Sequence, residues 1–270
     1  MTDDVIGAIF NISRATANRY YNAWINIMHE LFGDRFGDWP FQGEPAANMP
    51  PKMSYLFPKI DLIVDCFETK IQTPKNADAA RRCYSNYKKT FTIKVLVGVE
   101  TDGNCCFVSN AFTGAISDIA IVRASKLLDY LQPDSYVLAD RGFKLEDEAR
   151  ARGIFWIVPP SKNPNRGFTP EEMKRTLRIA RARILVERWI GRLRKWKQIE
   201  GPLAITELPK LDKEIKIVSH LCKFLPPLIK TSLFEPAETG PVEDGITGSL
   251  TVEELDVFTV PSFLSDFSAC

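Results

Sequence analysis

"FTIKVLVGVETDGNCCFVSNAF", residues 91–112, carries two apolar runs joined by Thr101-Asp102-Gly103-Asn104. Glycine takes positive φ without steric cost, so the joint reads as a hairpin turn and the runs as paired strands. Upstream, "KIDLIVDCFE" (59–68) reads as a shorter buried strand ending at Asp65. Downstream, "SDIAIVRASKLLDYL" (117–131) reads as a helix capped near Ser117, and "SYVLAD" (135–140) as a strand ending at Asp140. "KLEDEARAR" (144–152) is a short helix, "IFWIVPP" (154–160) a strand stopped by two prolines, and residues 170–198 a long helix. Strands alternating with helices around a hairpin predict an α/β domain with a mixed sheet.

Towards the N-terminus, "IGAIFNISRATANRYYNAWINIMHELF" (6–32) has helical spacing interrupted at Asn11-Ile12-Ser13, where Ser13 can cap a second helix from Arg14. The outline is a helix-turn-helix over residues 1–33. Residues 34–58, rich in Gly, Pro and Asn, read as a linker to a domain spanning 59–230. Residues 231–270 hold eight acids and no Lys or Arg, and are expected to lack a packed fold. The formal net charge of +1 therefore hides a body, residues 1–230, that carries +9 by the same count. In the tail, "EELDVFTVPSFLSDF" (253–267) mixes acids with Phe and Leu, a composition suited to docking a partner or covering a basic groove.

The six cysteines form no CxxC pair and the two histidines lie far from them, which argues against a zinc finger or a disulfide framework. No run approaches the roughly 18 apolar residues of a membrane span, and the first residues lack the pattern of a secretory signal. These features predict a reducing, intracellular setting.

Acids at strand ends can leave the core while their backbone is held rigidly, so Asp65 and Asp140 converge if their strands are neighbours. "RILVERWIGRLRKW" (183–196) contributes Glu187, alone among five Arg or Lys. Helical projection places Glu187 with Leu177, Ala180, Ile184 and Gly191, a face expected to turn inward; Ile179, Val186, Ile190 and Leu193 form a second stripe. Arg183, one turn earlier, is the available salt-bridge mate. Three converging carboxylates repel one another, and a divalent cation resolves that conflict; oxygen ligands favour Mg²⁺ or Mn²⁺ over Zn²⁺. The competing readings are ordinary ones, a turn residue for each Asp and an ion pair for Glu187, and spacing alone does not decide between them.

"LIVDCFETKIQTP" (62–74), "YSNYKKTFTIKVLVGVETDG" (84–103), "GAISDIAIVRAS" (114–125), "VLADRGF" (137–143) and "RILVERWIGRLRKW" resemble, in order, the motifs of the DDE superfamily endonucleases, transposases related to PIF/Harbinger elements. The likeness runs from about Lys59 to Leu228. It implies an RNase H-like mixed sheet with flanking helices, preceded by the helix-turn-helix-like segment. It further implies an acidic triad that binds two divalent ions and cuts DNA, which falls on Asp65, Asp140 and Glu187. Asp118, in "GAISD", matches a family motif as an auxiliary acid or metal-shell residue, although it is equally an ordinary helix start. Glu68 is a weaker candidate, and Cys66 is expected to pack rather than react. Few residues precede "VIGAIF", so the leading helix of the family's DNA-reading module is expected to be shortened.

Ten basic residues and one acid between Lys174 and Lys197 point to a nucleic-acid backbone as partner. Arg178, Arg181, Arg188, Arg192 and Lys195 are the candidates to follow a strand, with Lys88 beside Asp65. Arg14 and Arg19, together with Thr16 and Asn18, begin the presumptive recognition helix. Trp189 and Trp196 are expected in the core. The resemblance also implies a nuclear location and admits a separate DNA-binding partner protein and a homo-oligomer. A domesticated chain that binds DNA or recruits a partner without turnover is the competing function.

Overall fold

The computed structural model describes residues 3–32, 57, 59–161 and 166–228. Apart from Phe57, the linker and the acidic tail expected from the sequence lie outside these residues.

Helices α1 (Asp3–Phe10) and α2 (Arg14–Phe32) form the helix-turn-helix outline. Asn11 takes positive φ at the joint, and the Thr16 N–H donates to the Ser13 hydroxyl, the cap expected from the sequence. The chain then builds β1 (Leu62–Lys70), α3 (Ala77–Cys83), β2 (Tyr84–Ser85), β3 (Thr90–Val99), β4 (Cys105–Val108) and β5 (Phe112–Thr113). Next come α4 (Asp118–Ala124), α5 (Leu127–Tyr130), β6 (Tyr136–Leu138), α6 (Glu146–Arg150) and β7 (Phe155–Ile157). The helices α7 (Pro170–Leu193), α8 (Lys197–Glu200) and α9 (Leu208–Cys222) close the described chain.

The hairpin at residues 101–104 forms as read, with Gly103 at φ +87°. β3 is the hub of the sheet. β1 pairs antiparallel along one edge of it, and β4 and β5 along the other. Beyond β1 the pairing turns parallel, to β6 and then β7. Helices cover both faces, giving the RNase H-like mixed α/β architecture that the resemblance implies.

Alternation along β1 sorts the core into two layers. Ile63 and Phe67, with Val95 and Val97 of β3, pack against Ile179, Ala182, Val186 and Trp189 of α7 and Ile215 of α9. Leu62 and Val64, with Leu96, pack on the opposite face against Ile121, Leu127, Phe143 and Trp156. Each such fully buried side chain contributes about 1.5–3 kcal/mol, so the two layers fix the sheet between its helices. Gly98 is required where it stands, since a Cβ there would lie 2.9 Å from both Leu62 and Phe107.

Three boundaries differ from the sequence reading. β1 continues to Lys70, so Asp65 lies within the strand, opposite Val97, rather than at its end. The expected helix at 117–131 breaks at Lys126, which takes positive φ. α7 starts with a full capping box, Thr169 and Glu172, and Pro170 in its first turn. It ends at Leu193, where turn bonds at Lys195 and Trp196 lead into α8. α9 has no counterpart in the sequence reading. It carries α2: the Tyr21 hydroxyl donates to buried Glu214 at 2.8 Å, Lys213 donates to Asn26 at 2.7 Å, and Phe32 stacks on His220.

Candidate active site

The last parallel pair between β1 and β6 is Ile63 with Leu138. Both side chains lie in the α7 layer, and Asp65 and Asp140 follow them by two residues on their respective chains. A period of two therefore sends both carboxylates to the α7 side, just where the two strands stop pairing. Asp65 is steadied by the Cys66 N–H at 2.8 Å, and Asp140 by the Arg141 N–H at 2.7 Å.

From α7, the Arg183 guanidinium enters between them. Nη2 lies 3.0 Å from Asp65 and Nη1 3.1 Å from Asp140, while Glu187, one turn further along, stands 3.9 Å from Nη2. The Arg183 and Asp65 side chains are 14% and 19% exposed, whereas Asp140 and Glu187 are 47% and 55% exposed. The site is thus closed at its floor and open at its rim. Burial pushes the Asp65 carboxyl above the usual aspartate range, against the opposing pull of Arg183.

Glu187 does not turn inward as its projection implied. The buried residues of α7 are Ile179, Ala182, Leu185, Val186, Trp189, Ile190 and Leu193, and Leu177 on the Glu187 side is exposed. Two apolar stripes compete in the sequence, and contact with β1 and β3 selects the one with more β-branched and aromatic side chains. Trp189 is in the core as expected, and Trp196 packs against it.

Asp118 does not join the three acids. Ser117 caps α4 as expected, and Asp118 bonds to Lys94 Nζ at 3.2 Å. Lys94 also stands 3.5 Å from Glu68, whose other oxygen accepts from the Thr92 hydroxyl at 2.8 Å. Glu68 pairs with Lys94 in the sheet, on the face opposite Asp65. Burial would lower the Lys94 pKa, but Asp118 and Glu68 outweigh it and hold it raised. Cys66, on that same face, has its thiol pushed well above the usual range by burial, as befits a packing residue. Asp118 still bears on the Asp140 loop, because a Cβ at Gly142 would meet its carboxylate oxygen at 2.8 Å.

The family model described as a DDE superfamily endonuclease matches residues 64–223. The chain belongs to the DDE superfamily endonucleases. A second family model, the helix-turn-helix of that superfamily, matches residues 1–34. No curated protein and no solved structure matches the chain.

The basic residues of this DDE endonuclease domain differ in their surroundings. Arg178 and Lys195 are exposed and, with half-buried Arg181, pair with no acid among the described residues. Arg188 and Arg192 instead donate to the main-chain carbonyls of Leu228 and Pro226, so the segment after α9 engages them. At roughly 100° per residue, Arg181, Arg188 and Arg192 project from a different side of α7 than Glu187. Arg194, absent from the candidates read from sequence, lies seven residues after Glu187 and shares its side. Lys88 is not beside Asp65: it precedes β3 at the end that pairs with Lys70, whereas Asp65 lies opposite Val97. There it sits over the Tyr87 ring, with its backbone N–H bonded to Ser85. In the helix-turn-helix segment, Arg14 pairs with Asp4, Asn18 donates to Asp3, and Arg19 lies over Tyr20. These bonds are all exposed and readily exchanged for phosphate. No helix among the described residues is long and apolar enough to cross a membrane.

Proposed function

We propose that this chain is a metal-dependent DNA endonuclease of the transposase type, related to PIF/Harbinger elements, with Asp65, Asp140 and Glu187 as its catalytic acids. The single observation that carries the reading is the meeting of three carboxylates, from β1, the end of β6 and α7, around one guanidinium. The donor set fits a hard divalent ion: all oxygen, one acid fixed at the floor and two at an open rim. Among the described residues no three acid, His or Cys side chains are drawn together tightly enough to hold such an ion, and Arg183 lies among the three acids. Bound there, Mg²⁺ or Mn²⁺ supplies activation of water and stabilisation of the departing oxygen of a phosphodiester.

The remaining work belongs to the chain. Backbone N–H groups of Cys66 and Arg141 aim Asp65 and Asp140 before any ligand arrives, and exposed Glu187 adjusts to it. Arg178 and Arg181 on α7, and Arg194 and Lys195 just beyond its end, neutralise phosphates, which makes DNA affinity fall with salt. The helix-turn-helix segment supplies further contacts from Arg14 and Arg19, and the reaction takes place in the nucleus, where the substrate lies. A separate DNA-binding protein and a second copy of the chain are further partners of this reading.

Incubation of the full chain with supercoiled plasmid and Mn²⁺ tests the proposal. Nicked product is expected from wild type and none from Asp140→Asn; equal nicking by both excludes the assigned acids. The competing reading, a domesticated DNA-binding protein without turnover, draws on the guanidinium at the centre of the triad. Salt-dependent DNA binding without metal-stimulated cutting selects it.

A further inference from the structure

Arg183 is the part of this site that neither the triad nor DNA binding explains. Its two terminal nitrogens bridge carboxylates from two different strands at 3.0 and 3.1 Å, a forked geometry that only arginine supplies. Its side chain is among the most enclosed in the site, yet its Nε is buried with no hydrogen-bond partner in this position. A buried donor left without a partner raises the free energy of the arrangement that leaves it so. The same two carboxylates are the ones a divalent ion requires, and a guanidinium and a divalent ion repel each other strongly at such distances.

We infer, on the reading of Asp65, Asp140 and Glu187 as a metal site, that Arg183 is an internal cation exchanged for the divalent ion. In the metal-free state it holds Asp65 and Asp140 together and limits their mutual repulsion. Metal entry displaces the guanidinium from both acids. Metal affinity is then a difference between two cations competing for one set of carboxylates, and Arg183 lowers it. Arg183 acts through Asp65 and Asp140 and is a positioning residue.

Mn²⁺ titration of the full chain, followed by calorimetry and by the electron paramagnetic resonance of free Mn²⁺, tests the exchange. Arg183→Gln keeps polar bulk and removes the charge, so its Mn²⁺ affinity is expected to rise about tenfold or more over wild type. Arg183→Lys keeps the charge but not the fork, and is expected to fall between the two. A residue needed only for packing gives unchanged or weaker binding in both variants. A second readout uses wild-type protein alone: Mg²⁺ should shift the side-chain N–H resonances of Arg183, and unshifted signals at saturation overturn the inference even if Arg183→Gln fails to fold. Unchanged or weaker binding by folded Arg183→Gln overturns the exchange and leaves the metal site standing. No Mn²⁺ binding by wild type, or undiminished binding by Asp65→Asn, overturns the metal site itself and the exchange with it.

Discussion

Lys94 and Arg183 lie on opposite faces of the same sheet, and each is met by acids from more than one element. At Lys94 the cluster is closed: the Lys94 and Glu68 side chains are 12% and 6% exposed, and both Glu68 oxygens have partners. At Arg183 three acids share one guanidinium, and two of them stand half open to solvent. Lys94 therefore reads as a strut between β1, β3 and the start of α4, whereas Arg183 reads as a charge with somewhere else to go. Acid content alone does not separate them. What separates them is the number of carboxylates per cation and the access left to a ligand.

Changes made in parallel on the two faces test this contrast. The largest difference is expected in activity. Glu187→Gln should reduce Mn²⁺-dependent nicking by about a hundredfold or more, while Glu68→Gln, on the closed face, should stay within about threefold of wild type where it folds. Comparable losses in both would dissolve the distinction. Stability should respond in the opposite order. Lys94→Met strands two acids, Glu68 only 6% exposed, and is expected to cost about 3–5 kcal/mol in urea unfolding, against about 1–3 kcal/mol for Arg183→Gln, where Asp65 alone of the three partners is enclosed.

The smallest effect is expected away from both clusters, where α2 rests on α9. Burial raises the Glu214 pKa, although the Tyr21 hydroxyl and Lys210 pull it down. A raised carboxyl pKa means that the fold favours the protonated form. That stability is complete below the ordinary glutamate value of about 4.3 and is lost as pH rises through the raised one. Glu214→Gln keeps an acceptor for Tyr21, so its thermal midpoint should exceed that of wild type at pH 7, with the gap closing towards pH 4. A gap that widens on acidification would place Glu214 among the stabilising carboxylates instead.

The sequence made the order of elements legible because local chemistry writes it: the glycine of the 101–104 turn, and the caps Ser13 and Ser117. It also put Asp65, Asp140 and Glu187 in view, through motifs that resemble a family. It misread what depends on partners far along the chain. The apolar run of β1 stops at Asp65, yet the strand continues because Glu68 is tolerated inside it by Lys94 across the pair. Leu177 and Ile184 mimic a core stripe beside Glu187, and only the packed sheet shows which stripe is buried. Helical spacing makes Arg183 the mate of Glu187, although its shorter bonds reach Asp65 and Asp140, which no helical spacing can reveal. Asp118 matches a family motif and also starts a helix, and its bond is to Lys94, which pairs with Glu68 on the face of β1 opposite Asp65.

Calorimetric titration of Mn²⁺ into the full chain, with Asp140→Asn and Asp118→Asn run beside wild type, decides on which face of the sheet the metal binds. Saturable binding is expected in wild type and Asp118→Asn, and its loss in Asp140→Asn. Binding that survives in Asp140→Asn and disappears in Asp118→Asn would put the metal on the wrong face of the sheet and contradict that expectation.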